Sequence, residues 1–189
     1  MVYSGGLKIY SCIDPDVQKV VDEVYLNRDN LPQTSSRGEQ LESAIVVLDH
    51  DGDVVAMAGA MGEKTANQVL NMATMSKRQP GSAIKPLSAY APAIDLGLIT
   101  PSAVFDDTPV MQLNGSAWPS NSYGYYWGRE TVSKAVEQSA NTIPARVIQE
   151  MGIGQSMEYL EEHFRIDTLV HSEENKKSND EGLAQLSLG

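Results

Sequence analysis

The chain has 189 residues, 41% hydrophobic and 21% charged, enough for one domain with a real core and the composition of a globular, soluble protein. Fourteen basic against 25 acidic residues leave a net charge of −11, which argues against nucleic acid or an anionic membrane surface as a partner. The single cysteine, Cys12, excludes an internal disulfide, and the scattered His50, His163 and His171 lack any zinc-ligand spacing. No signal peptide and no run of about 18 apolar residues is present.

Leu7 to Ile13 alternates apolar and polar residues and predicts a half-buried strand, with Cys12 as a buried small hydrophobe. Asp14-Pro15 is a helix start, and Val17, Val20, Val21 and Val24 then predict one inward stripe. Residues 27–39, polar and carrying Pro32 and Gly38, read as a loop. Residues 44–48 and 54–60 predict two strands of a hairpin around Asp51-Gly52. Asp49, Asp51 and Asp53 imitate a calcium loop, but Val54 and Ala60 stand where that loop needs glycine and glutamate. An acidic turn is therefore expected. Residues 61–79 are turn-rich, and Lys64-Thr65 reads as a solvated loop.

Arg78-Gln79-Pro80-Gly81-Ser82-Ala83-Ile84-Lys85-Pro86 then places a serine and a lysine three residues apart behind a Pro-Gly turn. On a helix, residues i and i+3 share a face. The amine would stand beside the hydroxyl, which is what an acyl-transfer nucleophile needs. Taken alone, Ser-x-x-Lys also describes a capped helix with an exposed lysine. Leu87, Tyr90, Ala91 and Ile94 continue a helical spacing to a cap at Gly97, predicting a buried central helix. Pro86 must lie in its first turn, which should be tightened or 3₁₀.

Residues 100–130 show little periodicity. Five of the twelve aromatics fall between Trp118 and Trp127, either a wall for an extended substrate or a long loop pinned by its own rings. Thr131 caps a short helix with Val132, Ala135 and Val136 inward. Ser139-Ala140-Asn141 follows as a tight link, and Asn141-Thr142 opens a second helix carrying Ala145, Ile148 and Met151, closed by Gly152. That link either fixes a reactive pair of side chains or supplies two helix caps. Another helix is expected over 154–164, with Met157, Leu160 and Phe164 apolar. Residues 171–181 have almost nothing to bury and predict a mobile surface loop.

Ser82-x-x-Lys85 followed by Ser139-x-Asn141 is an order described for penicillin-binding proteins and serine β-lactamases. With the Arg-Gln-Pro-Gly lead-in it resembles the transpeptidase domain of class A (bifunctional) penicillin-binding proteins. Gly6-Leu7-Lys8-Ile9-Tyr10, Asp14-Pro15-x-x-Gln18, Trp118-Pro119-Ser120-Asn121 and the closing 183–189 stretch are similar to that family too. The resemblance implies an α+β fold, a helical subdomain packed beside a partial antiparallel sheet. Residues 1–40 would be a lead-in strand, helix and loop, and 41–189 the N-terminal portion of the transpeptidase domain.

The resemblance further implies a D,D-transpeptidase that cross-links peptidoglycan stem peptides through an acyl-serine and is acylated by β-lactam antibiotics. Ser82 would be the nucleophile, Lys85 the base, Ser139 a proton relay, and Asn141 the group that holds the substrate amide. No cofactor or metal is implied. Rival readings are a D,D-carboxypeptidase, a β-lactamase, or a non-catalytic β-lactam-binding scaffold. The family's Lys-Thr-Gly strand, which supplies an oxyanion donor and carboxylate recognition, is absent from the 189 residues, so weak acylation by this chain alone is expected. A parent protein with a glycosyltransferase domain and membrane anchor, at the extracytoplasmic face of the bacterial membrane, is the implied setting. An unpaired sheet edge would leave the chain able to self-associate.

Overall fold

The computed structural model describes residues 5–31, 35–66 and 69–189. They form two compact units, Met1–Lys77 and Arg78–Gly189, each mixing helices with antiparallel strand pairs. The α+β expectation holds, with the strands in small two-stranded ribbons. Pro32, read above as part of a loop, lies outside the described residues.

In the first unit, helix α1 (Pro15–Leu26) starts as expected: Asp14 Oδ1 accepts from the backbone N–H groups of Asp16 and Val17, at 2.8 and 3.2 Å. Replacing Asp14 with alanine is expected to cost about 1 kcal/mol, read as a lower urea midpoint. Strands β1 (Ile45–Leu48) and β2 (Val54–Ala58) pair from Ile45↔Ala58 to Leu48↔Val54. Asp49 accepts from the N–H groups of Asp51 and Asp53, both at 2.9 Å, so its carboxylate shapes the turn.

Two expectations fail here for one reason. The edge of β2 that faces away from β1 is taken by α1 and its cap. Asp14 N–H donates to Val55 O at 2.8 Å. The Gln18 carboxamide then pairs with Met57 as a strand would, donating to its carbonyl and accepting from its N–H, both at 3.0 Å. Residues 7–13 therefore have no edge to join. They form no strand, Ile9 and Tyr10 are 78% and 90% exposed, and Cys12 is exposed and not buried. Aligning Gln18 with β2 also turns α1 about its axis. Val21 is buried and Val17 and Tyr25 half-buried, while Val20 and Val24 face out. Helix α2 (Met72–Met75), capped by Asn71, interrupts the turn-rich stretch that follows.

The second unit is built on a continuous helical run that changes pitch. Gly81–Ile84 is a 3₁₀ turn, as expected ahead of Pro86. Pro86–Tyr90 is a π turn, and α3 (Ala91–Asp95) is regular. Gly97, at φ +70°, closes it with its N–H on Ile94 O. The π turn adds a residue per turn. It sets the buried face at Ile84, Ser88, Ala89, Tyr90 and Ala93, keeping Tyr90 inward as expected but turning Ile94 outward, against the α-helical spacing. Pro92 has no N–H to give Ser88 O, and Ser156 Oγ donates to that carbonyl instead, at 2.7 Å.

Residues 100–130, where the sequence shows little periodicity, hold four strands, the last running on to Thr131. β3 (Val104–Asp107) pairs with β6 (Gly128–Thr131), and β4 (Met111–Leu113) pairs with β5 (Ser116–Trp118). Asn114-Gly115, with φ +51° and +79°, is the two-residue turn between β4 and β5. The aromatics contact one another: Tyr123–Tyr125 and Tyr125–Trp127 centroids are 4.8 and 5.2 Å apart. Tyr126 donates to Pro119 O. The rings thus pin their own loop.

Helices α4 (Val132–Glu137), α5 (Thr142–Met151) and α6 (Ile153–Glu162) follow, with α7 (Leu183–Leu188) closing the chain. Val136 is exposed, against the inward place expected of it, and Phe164 at the end of its apolar series is exposed too. The core centres on α5, whose Ile143, Val147 and Ile148 meet Tyr90, Leu160 and Leu186. Arg146 leaves this helix to bind the carbonyls of Asp106, Thr108 and Pro109, which ties α5 to the end of β3. No helix among the described residues is long and apolar enough to cross a membrane.

The 171–181 segment has local structure that its composition hid. Its ends meet where Asp180 N–H donates to Val170 O, and Asn175 Oδ1 accepts from the N–H groups of Lys177 and Ser178. His171 bridges Glu161 at 2.7 Å and Glu181 at 3.0 Å, one carboxylate on each ring nitrogen. Donation to both needs the imidazolium. Its pKa is raised, first by the hydrogen bond to Glu161 and then by that to Glu181. The stability it contributes is complete below the unfolded histidine value and fades as pH rises through the higher folded one. The urea-midpoint difference between the parent and His171→Gln should accordingly be larger at mildly acidic pH than in alkali.

Candidate active site

Ser82 lies in the 3₁₀ turn and Lys85 caps its end, and in such a turn side chains at i and i+3 eclipse each other. The Lys85 N–H donates to Ser82 O, which locks the two residues together through the backbone. Gly81, at φ +58°, makes the entry to this turn. A Cβ on Gly189 would overlap the backbone of Gly81, so the end of α7 rests directly on the serine turn.

The lysine points inward and is 3% exposed. Its Nζ donates to Ser139 O at 2.8 Å, Ser139 Oγ at 3.1 Å and Asn141 Oδ1 at 2.6 Å. Three donors thus meet three acceptors, all from the α4–α5 link. Burial lowers the amine's pKa from 10.5 to about 8, because desolvation penalises the ammonium. About a tenth of the molecules then carry a neutral amine at pH 7, against a negligible fraction for an exposed lysine.

The link explains why these side chains face the lysine. Ala140 N–H reaches Ala135 O and Ser139 N–H reaches Val136 O, the pair of bonds that ends a helix through a left-handed residue. Ser139 fills that position at φ +52°, where glycine is usual. Asn141 stands at the N-cap of α5 but its side chain caps nothing. Its Oδ1 faces Lys85, and its Nδ2 donates to Ser120 O at 2.7 Å. Neither side chain is serving merely to end a helix.

The structure therefore gathers Lys85, Ser139 and Asn141 by direct side-chain bonds. Ser82 joins them through the backbone. Its side chain is exposed and its hydroxyl makes no hydrogen bond among the described residues. The amine that was expected beside the Ser82 hydroxyl instead bonds only Ser139 and Asn141 among the described residues, so serine and lysine share a turn without a direct side-chain bond.

Sequence reasoning missed a second layer. Asp107, fully buried on β3, accepts from Asn121 Nδ2 at 2.8 Å, from Trp127 N–H at 2.7 Å and from Thr142 Oγ1. Asn121 Oδ1 in turn accepts from Asn141 N–H at 2.8 Å. The Asn114-Gly115 turn was a readable sign of the β4–β5 hairpin that delivers Asn121. Nothing in the sequence marked Asp107 apart from Asp106.

Comparison with known proteins follows the same lines. Residues 43–183 match the family model for the penicillin binding protein transpeptidase domain. The chain is 31% identical over 173 residues to penicillin-binding protein 1A of Clostridium perfringens strain 13, covering 84% of this chain and 25% of that protein. To the Clostridium botulinum (strain Hall) protein of the same name it is 28% identical over 199 residues, covering 100% of this chain and 23% of that protein. The crystal structure of penicillin-binding protein 1A from Haemophilus influenzae superposes with TM-score 0.62 at 31% identity, over 82% of this chain and 23% of that one. A Mycobacterium tuberculosis penicillin-binding protein, 19% identical, shares the fold with TM-score 0.74 over 99% of this chain and 47% of that one. The chain spans about a quarter or less of the length of the curated relatives it matches.

Proposed function

The chain belongs to the penicillin-binding protein transpeptidase family, and from that premise we propose that it carries serine acyl transfer on peptidoglycan stem peptides. The observation that carries the reading is the buried Lys85 amine, bonded to Ser139 Oγ and Asn141 Oδ1 and sharing a turn with the open Ser82 hydroxyl.

Neutral Lys85 takes the Ser82 proton as Ser82 Oγ attacks the carbonyl between two terminal D-alanines. The tetrahedral intermediate collapses when the proton passes through Ser139 to the leaving amine. Free D-alanine departs, and an acyl-serine remains. An amine of a second stem peptide then attacks the ester, giving the cross-link and restoring Ser82. A β-lactam enters by the first step, its ring amide opening on Ser82. Asn141, whose Oδ1 accepts from Lys85 and whose Nδ2 donates to Ser120 O, keeps a second N–H and a second lone pair to offer the acyl donor's amide. The whole protein would work at the extracytoplasmic face of the bacterial membrane, alongside a glycosyltransferase domain and a membrane anchor.

Incubation with a fluorescent penicillin tests the first step. One label per chain, slow to form and slow to leave, is the expected result. Fast release of opened penicillin would favour a β-lactamase, and trimming of stem peptides without dimer formation a carboxypeptidase. No label at all would favour a scaffold.

A further inference from the structure

Two carboxylates share the inward face of the β3–β6 ribbon. Asp107 lies opposite Gly128, and Glu130 opposite Phe105, so they are diagonal neighbours. Both are buried, at 0% and 7% exposure, and they are treated differently. Neither Glu130 oxygen has a hydrogen-bond partner among the described residues. Asp107 receives every donor in reach: Asn121 Nδ2 at 2.8 and 3.1 Å, Trp127 N–H at 2.7 Å, the Thr142 hydroxyl, and Tyr123 OH at 3.5 Å. No cation pairs with it among the described residues. A buried carboxylate without a counter-ion stays tolerable only while such donors surround it.

The consequence lies in amide orientation. An ionised carboxylate only accepts. It therefore compels Asn121 to present its Nδ2, which also reaches Tyr125 O at 3.1 Å. The Oδ1 of Asn121 is then left facing Asn141 N–H. With the 120–121 backbone held in this way, Ser120 O meets the Nδ2 of Asn141. That contact decides the second amide, so Oδ1 of Asn141 is the end that faces Lys85.

We infer that Asp107 is a positioning residue for the acyl-transfer site, acting through Asn121 to set both the place and the orientation of the Asn141 carboxamide against Lys85. The inference rests on the reading of Ser82 and Lys85 as the acyl-transfer pair. It assigns the buried layer a share in that reaction.

The test uses Asp107→Asn, Asn121→Ala, and the double variant Asp107→Asn/Asn121→Asp in the full 189-residue chain. Two quantities are read: the penicillin acylation rate, and the Lys85 pKa by lysine-selective NMR titration. In Asp107→Asn a side-chain NH₂ replaces an acceptor, so Asn121 is no longer compelled to present its own, and Asn141 turns from the lysine. Acylation is expected to fall about 10²-fold, the usual penalty for a misplacement near 1 Å. Lys85, losing an acceptor for its ammonium, should titrate below its parent value. The double variant restores one donor facing one acceptor with the roles exchanged. The introduced carboxamide on β3 donates to the introduced carboxylate, whose second oxygen accepts from Asn141 N–H. This variant should recover at least about a tenth of the parent rate.

Should Asp107→Asn fail to fold, Asn121→Ala leaves Asp107 its Thr142 and Trp127 donors and must show the same fall in Lys85 pKa. A lysine titrating as in the parent in the folded single variants, or a double variant no faster than Asp107→Asn, would overturn the inference. The two readings can fail separately. A parent that takes no penicillin defeats the acyl-transfer reading, while the Lys85 titration still decides the role of Asp107.

Discussion

Replacing Lys85 with methionine is expected to slow penicillin acylation by about 10²–10⁴-fold, the range that a positioned general base contributes. Methionine keeps an unbranched chain in the same channel and removes only the amine. The pH dependence separates lost chemistry from lost packing. With the amine's pKa near 8, the parent's rate should climb with pH up to about 8 and then level, while the variant's profile stays flat over that range. Stability should move in the opposite sense. Below pH 8 the folded chain buries a charged ammonium, and methionine relieves that cost. Between about 8 and 10.5 the unfolded chain holds a proton that the folded one has released, so stability rises with pH across that window in the parent alone. Labelling rates and urea midpoints of both proteins, measured at neutral and alkaline pH, check each half. A variant that loses activity and stability together at every pH would show that Lys85 matters only for packing.

Ser139→Gly should separate stability from activity at a single residue. The serine occupies a left-handed conformation at φ +52°, and no glycine offsets it in the link. Such a conformation costs an L-residue about 1–2 kcal/mol, and glycine returns roughly half of that in chain entropy. The variant should therefore melt at or slightly above the parent temperature. Its acylation should still fall about 10²-fold, because the hydroxyl that Lys85 contacts at 3.1 Å is the proposed path to the leaving amine. Non-glycine strain that persists at a reactive link is a sign of use. Melting temperature and labelling rate, measured on the same preparation, give the answer. A slow variant that is also less stable would mean that the serine serves the fold.

What could be read in advance was the chemistry that a short motif carries. Ser82-x-x-Lys85 and Ser139-x-Asn141 fix their own spacing, and Pro86 announced the tight first turn. The failures share a physical cause, a tertiary partner that local pattern does not reveal. Residues 7–13 alternate like a strand, yet Asp14 and Gln18 already occupy the edge of β2. Ile94 keeps α-helical spacing, yet one π turn after Pro86 rotates it to the surface. The 171–181 loop is polar throughout, yet Asn175 and Asp180 satisfy its backbone from within. Asp107 differs from Asp106 only in which face of β3 it occupies, and strand parity cannot be set until the strand is found. The Asn114-Gly115 turn was the available clue to that ribbon-rich stretch, and its neighbours' weak alternation concealed it.

One experiment bears on the centre of this account, the pairing of an open Ser82 with a sheltered Lys85. The chain is treated with penicillin, digested, and its peptides are mapped by mass spectrometry. A single penicilloyl adduct on the peptide that contains Ser82 is the predicted result. An adduct seated on any other residue, or an unmodified Ser82 peptide after prolonged exposure, would contradict it.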